Sequence, residues 1–335
     1  MTRFAWLQVR QQTAVAFGML AIVGVILVAT GPHLVQLYDT TVATCTGDHD
    51  CPTVTTTFLD TDGPLKIFGD FLLLLTPALI GMFWGAPLVA REFETGSFRL
   101  AWTQGVTRTR WLATKISVGV VASMLLVGLL SLMITWWSNL IDQVGMDPFD
   151  PVRFGVRDIT PVGYAAFAFV LGVTGGLLTH RTLPAMAIAF AGFIGARVAI
   201  GSWVRPHLMA PLHMSMAINA STPLNFAETP TGVTVTATTR GILPGDWAYS
   251  AKIVDRAGHA PTTAFLGHAC PFNQTSGQLN LPTCTANLAA KFHSVVTYQP
   301  TSRYWAFQWD ETAIFAGLTV VLTGVCLWWV RRPTS

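Results

Sequence analysis

The chain has 335 residues, of which 51% are hydrophobic and only 11% charged, with a mean hydropathy of +0.49. A soluble domain carries about 25% charged residues, so the long uncharged stretches here point to a polytopic membrane protein. A net charge of +3 is not gathered into a basic face beside stacking aromatics, which argues against a nucleic-acid partner.

In chain order, the first element is Met1–Gln12, with Phe4, Trp6 and Leu7 on an apolar side and Arg3 and Arg10 on a polar one. Thr13–Thr30 is the first run long enough to cross about 30 Å of hydrocarbon. Its basic flank also fits a signal-peptide core, but its length and weak cleavage pattern favour a retained anchor. Residues 31–70 follow as a polar, Thr-rich loop holding Cys45-Thr-Gly-Asp-His-Asp-Cys51. Two thiols, a histidine and two carboxylates could bind zinc; the plainer reading is a disulfide-closed loop.

Phe71–Ala90 is the second span, interrupted by Pro77 and Pro87. The segment 91–115 comes next, with Arg91, Arg99, Arg108, Arg110 and Lys115 against only Glu92 and Glu94. Glu92 and Glu94 extend the second helix, Gly96 and Gly105 bend the chain, and Thr107 caps the third span. Phe98, Leu100 and Trp102 could seat a short helix over 97–103 on the membrane surface. The alternative is a solvated basic loop that serves only topology.

The remaining spans are Leu112–Trp137, Val162–Thr179, Leu183–Gly201 and Thr312–Val330. Arg197, late in the fifth, could snorkel to the surface or face a cavity and bind an anionic substrate group. Gly81-x-x-x-Gly85 and Gly172-x-x-x-Gly176 permit close helix contacts, within the chain or between copies. Residues 202–310 form one long hydrophilic segment, with strand-like runs at Gly232–Thr239 and Trp247–Val254 and a helical stretch at Ala286–Val296. With the loop 31–70 it suggests a small α+β extracytoplasmic cap. Residues 311–335 close the chain with the sixth helix and a short tail. The expected fold is therefore all-α and polytopic, six transmembrane helices plus that cap.

Orientation follows from charge. With both termini cytoplasmic, the inner side holds Arg3, Arg10, the five basic residues of 91–115, Arg181, Arg331 and Arg332, against Glu92 and Glu94 alone. Trp136, Trp137, Trp203, Trp305 and Trp309 then fall near the outer interface, and Trp6, Trp111, Trp328 and Trp329 near the inner. The cysteines agree: Cys45 with Cys51 and Cys270 with Cys284 lie in outer loops as two close pairs, and Cys326 lies alone in a span. We expect both pairs to be disulfides.

Enzymatic motifs are missing. No lysine follows a glycine, so there is no G-x-x-x-x-G-K-[ST] loop and the chain is not itself a P-loop ATPase. H-E-x-x-H and G-x-S-x-G are absent as well. No catalytic, cofactor-binding or metal-binding residue is expected.

The run Gly85-Ala-Pro-Leu-Val-Ala-Arg-Glu-Phe-Glu-Thr-Gly96, with Arg99-Leu-Ala-Trp-Thr-Gln104 and Val106-Thr-Arg-Thr-Arg-Trp-Leu112, resembles permease subunits of ABC-2-type transporters in their actinobacterial form. Phe154-Gly155, Pro161-Val-Gly-Tyr-Ala165, His180-Arg-Thr-Leu-Pro-Ala-Met186, Val296-Thr-Tyr-Gln-Pro300, Arg303-Tyr-Trp-Ala-Phe-Gln-Trp309 and Glu311-Thr-Ala313 support it. The resemblance implies a six-helix permease in the plasma membrane with Met1–Gln12 along its inner surface. It implies ATP and Mg on two copies of a separate cytoplasmic ATPase, and a second permease copy in a homo- or heterodimer. The loop 91–111 would carry the coupling helix, with Glu92, Glu94, Arg99, Thr103, Gln104, Arg108 and Arg110 as ATPase contacts and Arg181 as a further one. Arg99 and Arg108 could equally bind lipid phosphate. The function so implied is ATP-driven export; the alternatives are a non-transporting sensor or immunity subunit on the same scaffold, or a membrane-embedded enzyme.

Overall fold

The computed structural model describes residues 2–43, 57–61, 63–96, 107–145, 148–219, 222, 224–229, 232–238, 245–271 and 279–331. Its contacts divide the chain into two compact units, 1–145, 151–208 and 305–335 in one and 146–150 with 209–304 in the other.

The first unit is a bundle of six helices long and apolar enough to cross a membrane: Ala14–Val42, Gly63–Thr95, Arg108–Val144, Thr160–Thr179, Thr182–His207 and Thr301–Arg331. The chain is a multi-pass membrane protein. The first helix runs without a break from Thr2 to Leu37 and continues as a π-helical stretch, Tyr38–Val42. Most spans extend past the limits that hydropathy predicts. The fifth reaches His207 rather than Gly201, and the sixth takes in Thr301–Glu311 before its apolar run. A span can end in polar residues where those residues pair with one another inside the bundle, and that is what these extensions do.

The fourth span is the most buried and sits at the centre, packed on the second, third and fifth. Small residues let it approach closely. The second span changes from α-helix (Gly63–Ile80) to a π turn (Gly81–Gly85) and back (Ala86–Thr95), with Pro77 just before the turn and Pro87 just after it. There Gly81 and Gly85 lie against the backbone of Ala168 and Phe169, and Gly172 and Gly176 lie against Gly81, Ala86 and Ala90. The two small-residue motifs thus meet each other within one chain. A π turn next to proline is a recognised source of helix irregularity.

The second unit is α+β. Strands β1 (Leu212–Ala217), β4 (Trp247–Val254) and β5 (His293–Gln299) make an antiparallel sheet in the order β1-β5-β4, and β2 (Leu224–Thr229) pairs with β3 (Gly232–Ala237) as a hairpin. Leu212 faces Tyr298 and Trp247 faces Gln299, with an irregularity between Ala248 and Ser250. Ile218, Ile253, Leu266, Ala269 and Leu288 form its core. The helix Leu281–Ala289 stops short of the expected Ala286–Val296, because β5 claims the rest. Val295, Val296 and Tyr298 suit a strand, and Val296 is fully buried in the middle of the sheet. Cys270 and Cys284 are joined as a disulfide, and Cys326 is free and buried in the sixth span. Cys45 and Cys51 lie outside the described residues.

Candidate functional site

The ends of the second and fourth spans converge with the starts of the third and fifth, and the basic segment leaves from this junction. The second span ends at Gly96, whose left-handed backbone (φ 72°) lets its N–H reach the Phe93 carbonyl at 3.3 Å. At the other side of the segment, the Thr107 hydroxyl accepts the Arg110 N–H at 3.3 Å and opens the third span. Glu94 reaches across to the fifth span, where its carboxylate accepts the Thr182 N–H at 2.7 Å and the Thr182 hydroxyl at 2.8 Å. A helix start carries free N–H groups and partial positive charge, so a glutamate from a neighbouring helix serves as its cap. His180, in left-handed conformation where the fourth span ends, packs its ring against Phe93 at 4.4 Å.

Glu92 turns inward instead. Its carboxylate pairs with Lys115 of the third span, the side chains being 9% and 4% exposed. The Lys115 ammonium also lies 4.7 Å from the Trp111 ring centre. The pair spans 23 residues and ties together the two arms from which the segment projects. Of the other predicted contact residues, Arg110 is exposed, Arg108 half-buried and Arg181 exposed, and Arg91 is exposed at the same junction. Arg99, Thr103 and Gln104 lie outside the described residues.

Arg197 lies elsewhere, half-buried beside a buried polar cluster. Its guanidinium carbon sits 4.9 Å from the Tyr164 ring centre. The Tyr164 hydroxyl donates to Glu311, and Arg205 grips the same carboxylate through Nε at 2.7 Å and Nη2 at 3.0 Å. Tyr164 and Glu311 are fully buried and Arg205 nearly so. Next to them, the Gln308 side-chain carbonyl accepts from the Thr160 N–H and hydroxyl, and its amide donates to the Phe154 carbonyl at 3.1 Å.

A second network gathers Lys66, Asp70, Asp142, Arg153 and Arg157. Arg157 donates to Asp70 at 2.6 Å and Asp142 at 2.8 Å, and Lys66 bridges the same two acids at 3.2 and 3.3 Å. Burial works against the Arg157 charge, but the two carboxylates more than offset it and hold its pKa above the ordinary arginine value. The network joins the second and third spans to the link before the fourth. Among the described residues, no group of three or more His, Cys, Asp or Glu side chains is placed to hold a metal.

The description "ABC-2 membrane transporter related" matches residues 17–205, the first five spans and more than half of the chain. The chain belongs to the ABC-2 membrane transporter-related family. No curated protein and no solved structure matches it. Membership makes this ABC-2 chain a membrane permease component of a transporter. The matched region contains the junction, Arg197 and Arg205, but stops short of Glu311 and the α+β unit.

The roles of Lys115, Thr182, Arg205 and Glu311 escape a reading of the sequence. Each sits at or beyond the edge of an apolar run, where a window of hydropathy places a boundary. The signal that could have found them is pairing: an isolated base in one span edge and an isolated acid in another are each too costly to bury alone.

Proposed function

We propose that the chain is the permease subunit of an ATP-driven exporter in the plasma membrane, with both termini cytoplasmic and ATP and Mg bound by two copies of a separate ATPase. Two permease copies, alike or different, would frame the path, and this chain would bind no cofactor of its own. The observation that carries the reading is the junction. Glu94 couples the end of the second span to the start of the fifth, Glu92–Lys115 couples the second to the third, and all three elements converge where the basic segment begins. A push on that segment is thereby delivered to three spans at once, and the fourth, packed on all of them, follows.

Within this reading the predicted contacts divide. Arg108, Arg110 and Arg181, with Arg99, Thr103 and Gln104 of the segment itself, form the docking face for the ATPase, and exposed Arg91 joins them. Glu92 and Glu94 act behind that face as ties. The test is co-purification of tagged protein with a cytoplasmic ABC-type ATPase. Reversal of Arg110 to Glu is expected to reduce ATPase retention at least tenfold while leaving the permease folded. Retention unchanged in that variant, or no ATPase retained by the wild type, would overturn the assignment.

A further inference from the structure

We propose that half-buried Arg197, with the buried Arg205, Tyr164 and Glu311 beside it, forms a binding site for a single monoanionic group, a halide ion or a carboxylate. Charge is the first argument. Arg205 pairs with Glu311 away from water, and Arg197, half-buried as a residue but with both terminal guanidinium nitrogens buried, brings a second positive charge that no carboxylate pairs among the described residues. Arg205 lies close enough for its charge to act on Arg197, so the two cations also repel. A buried charge persists when it is paired and hydrogen-bonded, and the second pairing here has no acidic partner among the described residues.

Hydrogen bonding leads to the same place by counting acceptors. Glu311 uses three of its four acceptor sites: Oε1 accepts from Tyr164 and Arg205 Nη2, and Oε2 accepts from Arg205 Nε. Tyr164 donates its proton to Glu311 while its oxygen faces Arg205, and the nearby Gln308 carbonyl is taken by the Thr160 N–H and hydroxyl. Three buried guanidinium nitrogens, Nη1 and Nη2 of Arg197 and Nη1 of Arg205, are left without an acceptor among the described residues. The cluster therefore has donors in excess and positive charge in excess, in the same two side chains. A compact monoanion cancels both; a dianion such as phosphate would reverse the imbalance.

The surroundings hold the two cations in place without supplying that acceptor. The Tyr164 ring supports the Arg197 guanidinium and Phe154 supports that of Arg205, at 4.1 Å from its ring centre. Aromatic faces attract a cation but accept none of its in-plane N–H groups. Gly155 contributes by having no side chain, since a Cβ there would run into Arg197 Nη2. Glu311 sets the net charge, because without it the cluster would carry two positive charges and with a second acid it would carry none.

The proposal stands apart from ATPase coupling, because its readout is binding to the purified chain; either can fail and leave the other intact. The experiment follows thermal unfolding by tryptophan fluorescence in detergent while sodium chloride or sodium acetate is titrated in at constant ionic strength. One anion or both should raise the unfolding temperature along a saturating curve, by about 5 °C at a hundredfold excess over Kd. The rise should be absent in Arg197→Gln. A response to chloride identifies a free ion; a response to acetate alone identifies a carboxylate carried by a larger molecule. A wild type that responds to neither anion, or an equal response in wild type and R197Q, overturns the proposal. If R197Q does not fold, Arg197→Lys takes its place: loss of the planar donor pair should weaken half-saturation about tenfold, and an unchanged midpoint is equally fatal.

Discussion

Replacing Glu92 with Gln should be among the most damaging single changes in the bundle. The substitution keeps the shape but removes the charge that holds Lys115, whose side chain is 4% exposed. Lys115 cannot reach solvent without leaving its place over Trp111. Breaking a buried pair from one side costs about 3–5 kcal/mol, because the survivor is left charged and unpaired. At about 2–4 °C per kcal/mol for a large chain, the unfolding temperature should fall on the order of 10 °C. Replacing both members, as in E92Q with Lys115→Met, should recover part of that loss, since no unpaired charge is then left buried. Unfolding of the single and double variants in the same detergent forms the cycle that separates pairing from packing. A drop below about 2 °C in E92Q, against the magnitude above, would refute the reasoning. So would a double variant no better than the single one.

Gly172→Ala would drive a Cβ into the backbone of Gly81 and Ala86, where no flexible side chain can yield; we expect loss of most folded protein, measured as monodisperse material in gel filtration. Replacing Cys270 and Cys284 by Ser opens a bridge between residues 14 apart and should cost the α+β unit about 3 kcal/mol, seen as faster proteolysis within 209–304 while the spans stay intact. Asp255 accepts backbone N–H groups from His259 and Ala257 at 2.9 and 2.8 Å. The His259 bond is the main reason its pKa lies below the ordinary aspartate value. A lowered folded pKa means that its contribution is complete above the ordinary value of about 3.9 and is lost as pH falls through the folded one. Hydrogen exchange at 255–259 should therefore quicken at the acid end of that window and be insensitive to pH-driven opening above about pH 5.

Much of the architecture was legible because a membrane demands long apolar runs. All six spans were marked by them, and Cys270 and Cys284 were marked as a pair by their spacing in a hydrophilic segment. The limits of the spans were harder to read, because a charge that ends an apolar window does not end a helix. Arg205 looked like a loop residue and Glu311 stood just before an apolar run, and the two proved to be a buried pair within two spans. Arg197 stood out as a lone interior charge, but only the fold shows which ring and which acid lie beside it. Glu92 was legible as part of the segment, yet its partner Lys115 lies 23 residues away, a distance no local pattern reports. In the α+β unit, β1 and β5 pair across some eighty residues of chain, and a short apolar run such as Val295–Val296 reads as helix or strand until its neighbours are known.

The central claim is that the junction transmits work between a separate ATPase and the spans. Its most direct test is ATP hydrolysis by the ATPase reconstituted with this permease in liposomes, comparing wild type with Glu94→Arg. Loss of the Thr182 cap and reversal of charge at the junction should uncouple the pair, so that the permease no longer alters the hydrolysis rate while the ATPase still binds ATP. If hydrolysis with E94R matches that with the wild type over the full range of ATP concentration, the junction does not couple the two proteins and the account is wrong.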